Sequence, residues 1–182
     1  VLNACTAAVD YAHPWTHLIQ RFKHHQEPAW ASVFARVMVA QPLVRHTLLE
    51  ATLWLPIPMT ARHLGERGYH HAWVLTQALQ HHMARAGHPV QHRARPDLLR
   101  KLADTAAQHT LSRHERLHNL RHAFGIPPQA EPALRGQRVV LVDDVMTTGT
   151  TLHQAARCLR AAGVAQVAAV VLARTPAPDT DD

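Results

Sequence analysis

The stretch Arg138-Val139-Val140-Leu141-Val142-Asp143-Asp144-Val145-Met146-Thr147-Thr148-Gly149-Thr150-Thr151 decides how the rest of the chain is read. Four consecutive apolar residues, Val139 to Val142, suit a strand over Arg138 to Val142 that is buried on both faces. The carboxylates of Asp143 and Asp144 follow at its C-terminal edge, where open α/β sheets bind their ligands. A polar turn then leads into a helix predicted over Thr150 to Ala162, with Gly163 as its stop and a second strand over Gln166 to Ala173. Strand, helix and strand in that order make a βαβ unit, so the expected fold class is α/β, with a mainly parallel central sheet flanked by helices.

The turn supplies the hydroxyls of Thr147, Thr148, Thr150 and Thr151 together with backbone N–H groups at a helix start, a combination that binds phosphate. Gly149 permits a tight backbone turn with no Cβ to crowd an anion. Two acids beside a phosphate cradle would repel a bare anion, so they need another task. Asp143 and Asp144 can accept hydrogen bonds from ribose hydroxyls, directly or through the hydration shell of a Mg2+ ion, and the implied ligand is a sugar phosphate. A strand ending in Asp-Asp also occurs in NTPases, but no G-x-x-x-x-G-K-[ST] is present. Nor does any G-x-G-x-x-G follow a strand, which argues against a dinucleotide fold of the usual kind. Simple threonine capping of an ordinary strand-turn-helix is the alternative, and a paired acid before Thr-Thr-Gly-Thr-Thr is unusual for that.

Outward from this unit, Pro14 to His24 and Ala29 to Ala40 carry apolar residues at helical spacing, with Pro42 read as a stop. Ala51 to Ile57 reads as a buried strand running into a loop at Pro58, and Ala72 to Ala86 as a helix that turns Trp73, Leu75, Leu79 and Met83 inward and stops at Gly87. Pro89 to Arg95 suits a short strand, Pro96 to Thr110 a loop or mobile flap, and Ser112 to His122 a helix opened by a capping box from Ser112 to Glu115. Gly125 to Gly136, with three prolines, is a connector. The expectation is one domain over 1–176 followed by an acidic tail over 177–182.

Composition limits the function classes. The chain has 182 residues with 47% hydrophobic content, enough for a core, and its longest apolar run, Val167 to Ala173, is far too short to cross a bilayer, so membrane insertion is not expected. No Lys or Arg lies in the first 20 residues, so a charged secretory signal is not expected and the protein is read as cytoplasmic. Two cysteines, Cys5 and Cys158, make neither a disulfide framework nor an all-cysteine zinc site. The net charge is +6, and the segment Arg85 to Arg121 holds eight Arg or Lys against three acids. That run is either a solvated basic face or a phosphate or nucleic-acid surface, in which Arg85, Arg93 and Arg95 are the candidate contacts. His114, His118 and His122 share a helical face, but no Asp, Glu or Cys joins them, so an exposed stripe is the expectation.

Val139 to Thr151 resembles the phosphoribosyl pyrophosphate (PRPP) signature of type I phosphoribosyltransferases. Leu55-Pro56-Ile57-Pro58, Arg62 and Glu66-Arg67-Gly68-Tyr69 resemble the strand and loop of the ComF branch, the competence-associated, amidophosphoribosyltransferase-like proteins. Gln108, Leu111-Ser112, Glu115-Arg116, Asn119 and Ala123-Phe124 are similar to that branch's second block, and Tyr11, Pro14, Leu18-Ile19 and Lys23 to its opening helix. The resemblance implies that Asp143 and Asp144 face the ribose hydroxyls and Mg2+, and that Thr147, Thr148, Gly149, Thr150 and Thr151 hold the 5′-phosphate of PRPP. It further implies that Pro58 to Arg62 forms a loop where Arg62, with Arg67, neutralises the departing pyrophosphate, and that Arg116 and Asn119 border the flap. A phosphoribosyltransferase linked to DNA uptake and natural transformation is the function it implies. The other expectation is a non-catalytic module that binds single-stranded DNA or the DNA-uptake machinery. Two departures stand out: the branch usually reads Arg-Gly-Phe-Asn-Gln where this chain has Arg67-Gly68-Tyr69-His70-His71, and the four-cysteine zinc ribbon of many members is not expected within this chain.

Overall fold

In the computed structural model, residues 1–25, 27–102 and 123–176 are described. Four strands make one all-parallel sheet: β1 (Ala4–Asp10), β2 (Leu53–Pro56), β5 (Arg138–Met146) and β6 (Gln166–Arg174), in the order β1-β6-β5-β2. Two-residue strands β3 (Arg100–Lys101) and β4 (Phe124–Gly125) pair antiparallel apart from it. The helices are α1 (Trp15–His24), α2 (Trp30–Ala40), α3 (Pro42–Glu50), α4 (Ala61–Arg67), α5 (His71–Arg85), α6 (Glu131–Leu134) and α7 (Thr150–Ala161).

Side-chain alternation along β5 builds the two layers. Val140 and Val142 face a core shared with Phe22, Phe34, Met38, Leu48 and Leu75, drawn from α1, α2, α3 and α5. Val139 and Leu141 face the opposite core, with Leu152, Ala155 and Leu159 of α7 and Leu134 of α6. A strand apolar at every position is therefore explained by helices on both sides.

Several expectations need correction. The chain opens with a strand, β1, held beside β6 from Ala4↔Ala168 to Asp10↔Arg174, with Asn3 bonding Val167 through both its backbone N–H and its Oδ1. α2 ends at Ala40, just before Pro42 as expected, but Pro42 also opens α3, because a proline needs no hydrogen bond for its missing N–H in the first turn. Pro89 to Arg95 contributes a single parallel bridge, Trp54↔Ala94, flanked by bonds from Trp54 N–H to Arg93 O (2.7 Å) and from Arg95 N–H to Trp54 O (2.9 Å). The loop after β2 ends at Thr60, whose side chain caps α4, so Arg62 lies on a helix. β5 continues past Val142 to Met146 because β6 remains alongside to Arg174. The helix over Ser112 to His122, with Arg116, Asn119 and the histidine stripe, most of the flap, and the tail over 177–182 lie outside the described residues.

Phe22 connects these layers to the site, lying edge-on to Phe34 (5.4 Å between ring centroids), Tyr69 (5.7 Å) and His71 (6.3 Å) with no exposure. Phe22→Ala is expected to lower stability by about 3–5 kcal/mol, read from urea denaturation. A loss below about 1 kcal/mol would place this ring outside the core.

Candidate functional site

Asp143 and Asp144 are still within β5, and strand alternation sends them to opposite faces. Asp144 enters the α1 and α5 layer and is 1% exposed. Its Oδ1 accepts from Val145 N–H at 2.7 Å and lies 3.0 Å from Lys23 Nζ of α1. Its Oδ2 is buried with no hydrogen-bond partner among the described residues, 3.6 Å from His71 Nε2 at the start of α5. Asp143 Oδ1 accepts from Asp144 N–H at 3.0 Å and is 4.0 Å from the same imidazole nitrogen.

Burial opposes ionising either acid, and Lys23 decides between them. Burial and the neighbouring Asp144 push Asp143 well above the usual carboxylate range. For Asp144 burial is outweighed by Lys23, with help from His71 and the hydrogen bonds, so its carboxyl stays low. His71 is lowered to about 4, by burial first, then by Lys23 and Arg67 against the opposing pull of Asp144. It is neutral at pH 7. Arg67 Nη1 donates to His71 Nδ1 (3.1 Å), which leaves the ring proton on Nε2, facing the acids. Burial also lowers His70, whose Nε2 lies 3.0 Å from Ile57 O, so its N–H ties α5 to the loop after β2. Tyr69 donates to Phe22 O, and burial and Asp144 raise its hydroxyl to about 12.

These groups line a cavity of about 240 Å³ with Asp143, Asp144, Lys23, Arg67, His71 and Thr151 on its wall, together with Lys101, His63 and the Ile57–Met59 segment. Three fixed cations surround two acids, a balance suited to an anion that also presents hydroxyls. Beyond β5 the loop turns at Gly149, where φ is +75° and an added Cβ would come within 3.4 Å of His153 Nδ1 and Met146 Sδ. Thr147, Thr148, Thr150 and Thr151 are exposed, and the Thr148 and Thr150 hydroxyls lie 2.9 Å apart at the start of α7. Of the threonines, Thr151 reaches the cavity wall.

Arg62 is not brought to the cavity; its guanidinium pairs with Glu66 at 3.1 Å on the exposed side of α4, and Arg67 of the same helix reaches the wall instead. Arg93 is turned inward, donating to Leu49 O (2.9 Å) and Ala51 O (2.8 Å) at the end of α3, and Arg95 forms a two-point pair with Asp97. Neither is a free phosphate contact. The reading from residue patterns missed Lys23 as the counter-ion of Asp144, His71 as a wall residue and His70 as the tie to Ile57. The signal for the histidines was their place directly after Arg67-Gly68-Tyr69, where the resemblance already departs.

A parallel sheet with acids at the C-terminal end of a central strand and a glycine-threonine loop opening the next helix is the arrangement of a type I phosphoribosyltransferase domain. Residues 97–182 match the phosphoribosyl transferase domain family. Along nearly its whole length the chain is similar to the DNA utilization protein YhgH of Escherichia coli (strain CFT073), at 31% identity over 171 residues covering 91% of this chain and 70% of that protein. It is 30% identical over 167 residues to competence protein F of Haemophilus influenzae, covering 90% and 69%. A shorter segment of 39 residues is 54% identical to adenine phosphoribosyltransferase of Mycobacterium avium. The chain belongs to the ComF family, the competence-associated proteins with a type I phosphoribosyltransferase fold.

Lys23→Met is expected to cost about 3 kcal/mol at pH 7, the lower part of the range for breaking a buried pair, because Lys23 keeps 22% exposure. Adding Asp144→Asn should recover most of that loss. Strict additivity in the double-mutant cycle, followed by thermal and urea denaturation, would mean the pair does not couple.

Proposed function

We propose that the chain binds PRPP with Mg2+ and is a phosphoribosyltransferase-like protein of cytoplasmic DNA utilisation, with an acceptor that the site itself does not name. The observation that carries this reading is the acid pair and Thr151, just past the Gly149 turn, meeting at one cation-lined cavity. Family membership and the names of the relatives support the link to DNA uptake.

In this reading Asp143 and Asp144 accept hydrogen bonds from the ribose hydroxyls, and the N–H groups and hydroxyls over Thr147 to Thr151 hold the 5′-phosphate at the positive end of α7. Mg2+, when bound, would neutralise pyrophosphate charge and order it against the ribose. Oxygen donors on the acids fit such an ion, with the unpartnered Asp144 Oδ2 among them. Arg67 and Lys101 line the cavity and would meet a pyrophosphate bound there, whereas Arg62 would first have to leave Glu66. Titration calorimetry of PRPP with and without Mg2+ tests the reading. Binding that needs Mg2+ is expected, weakened at least 10-fold in Asp144→Asn and abolished in Gly149→Val; no binding by the folded wild type would refute it.

A second reading, single-stranded DNA binding, is favoured by a different surface. A groove of about 610 Å³ between α2, α3 and α5 is lined by Arg36, Arg45 and His82, with no acid among its lining residues. Burial lowers the His82 pKa first, and His81, Arg36 and Arg85 lower it further. Arg36→Ala with Arg85→Ala is expected to weaken single-stranded DNA binding and flatten its salt slope by about 0.7 per lost contact, measured by fluorescence anisotropy, and to leave PRPP affinity unchanged. Displacement of DNA by PRPP at constant ionic strength would reject separate surfaces.

A further inference from the structure

The histidine that replaces the usual amide at position 71 adds a nitrogen donor to the acid pair. His71, Asp143 and Asp144 each offer one ligand atom, and these three atoms lie within 4.8 Å of one another. The two acids come from one strand and the imidazole from the start of a helix 72 positions earlier in the chain, so the cluster is a product of the fold. Two further observations point to a ligand at this place. The Asp144 carboxylate is 1% exposed, and its Oδ2, on the side facing His71, has no hydrogen-bond partner among the described residues. Lys23 sits on the other oxygen, Oδ1, which leaves Oδ2 turned towards His71 and Asp143.

We propose that His71 Nε2, Asp143 Oδ1 and Asp144 Oδ2 form one face of a site for a first-row transition-metal dication of the Mn2+, Co2+ or Zn2+ class, with the remaining coordination positions opening into the cavity. The observed separations, 3.6 Å and 4.0 Å from Nε2 to the two oxygens, are somewhat longer than the roughly 3.3 Å between ligands of a four-coordinate ion bonded at about 2.0 Å. The imidazole and the two carboxylates would have to draw together by a few tenths of an ångström or more to hold the ion. Imidazole favours these ions over Mg2+, which takes oxygen donors and keeps its waters. Binding also sets a condition on Arg67: a metal on Nε2 moves the ring proton to Nδ1, so Arg67 must release that nitrogen and turn towards the cavity it already lines. The inference deepens the sugar-phosphate reading by naming the ion of the same site, but metal binding can be measured without PRPP.

The experiment uses Mn2+ alone with the full chain. Free Mn2+ is followed by electron paramagnetic resonance, and nitrogen ligation by the 14N modulation of the bound ion's spin echo. Wild type is expected to show one tight site with 14N modulation. His71→Gln should bind Mn2+ about 10-fold more weakly and lose the modulation, while its Mg2+ affinity stays within about 2-fold. Arg67→Met, which frees Nδ1 to carry the proton, should raise Mn2+ affinity more than Mg2+ affinity. The chain carries 17 histidines, so the difference between wild type and His71→Gln is the readout that isolates this one. Equal Mn2+ affinity in the two, or 14N modulation that persists in His71→Gln, would overturn the proposal. PRPP binding with Mg2+ in His71→Gln separates the two ideas: if it survives while the modulation was never present, the imidazole is no ligand and the sugar-phosphate reading stands. If PRPP binds with neither metal, that reading fails whatever the manganese signal shows.

Discussion

Lys23 and Asp144 form the contact around which the site is organised. A carboxylate 1% exposed in a parallel sheet is costly unless a cation meets it, and the ammonium at 3.0 Å does so from a helix 121 positions away in the chain. That pairing fixes the depth and rotation of α1, places Phe22 under Tyr69 and His71, and keeps Asp144 ionised while its neighbour Asp143 is pushed towards its neutral form. One charged and one easily neutralised acid, next to one another in sequence, can accept hydrogen bonds from two adjacent hydroxyls or release a proton to water as a cation binds. The chemistry proposed for the cavity follows from this inequality more than from the number of acids.

The backbone supplies the complementary half. Gly149 in the left-handed region lets the chain reverse within a few residues of β5, so that α7 starts with its positive end next to the acids. Arg67 and Lys101 add cations from the far wall, and His70 ties α5 to the loop after β2, so the wall that carries Arg67 and His71 is anchored to the sheet. The groove lined by Arg36, Arg45 and His82 is built from other elements, so these arginines lie apart from the acid pair.

Much of this was legible in the sequence where local signals are strong. Val139 to Val142 announces a doubly covered strand, Gly163 with φ of +87° ends α7, and the Asp-Asp and Thr-Thr-Gly-Thr-Thr run marks the loop. Elements stabilised mainly by partners were not legible. β1 is made of small residues such as Ala4, Cys5, Ala7 and Ala8, whose pattern carries little periodicity, and it is a strand because β6 offers it a ladder. Pro42 was ambiguous because proline both ends one helix and starts another. At the site, the acids and threonines are adjacent in sequence and could be read together, whereas Lys23 and His71 acquire meaning only when α1 and α5 fold over β5. Arg93 shows the converse: a cation in a basic run that the fold spends on the carbonyls closing α3.

The central claim is that the acid pair and the Gly149 loop together receive a ribose 5-phosphate. A crystal structure of the protein with PRPP and Mg2+ tests it most directly. The account predicts the ribose hydroxyls within about 3.2 Å of the Asp143 or Asp144 carboxylates and the 5′-phosphate within the same distance of backbone N–H groups over Thr147 to Thr151. A phosphate bound elsewhere, with the ribose away from both acids and the Lys23 contact undisturbed, would contradict it.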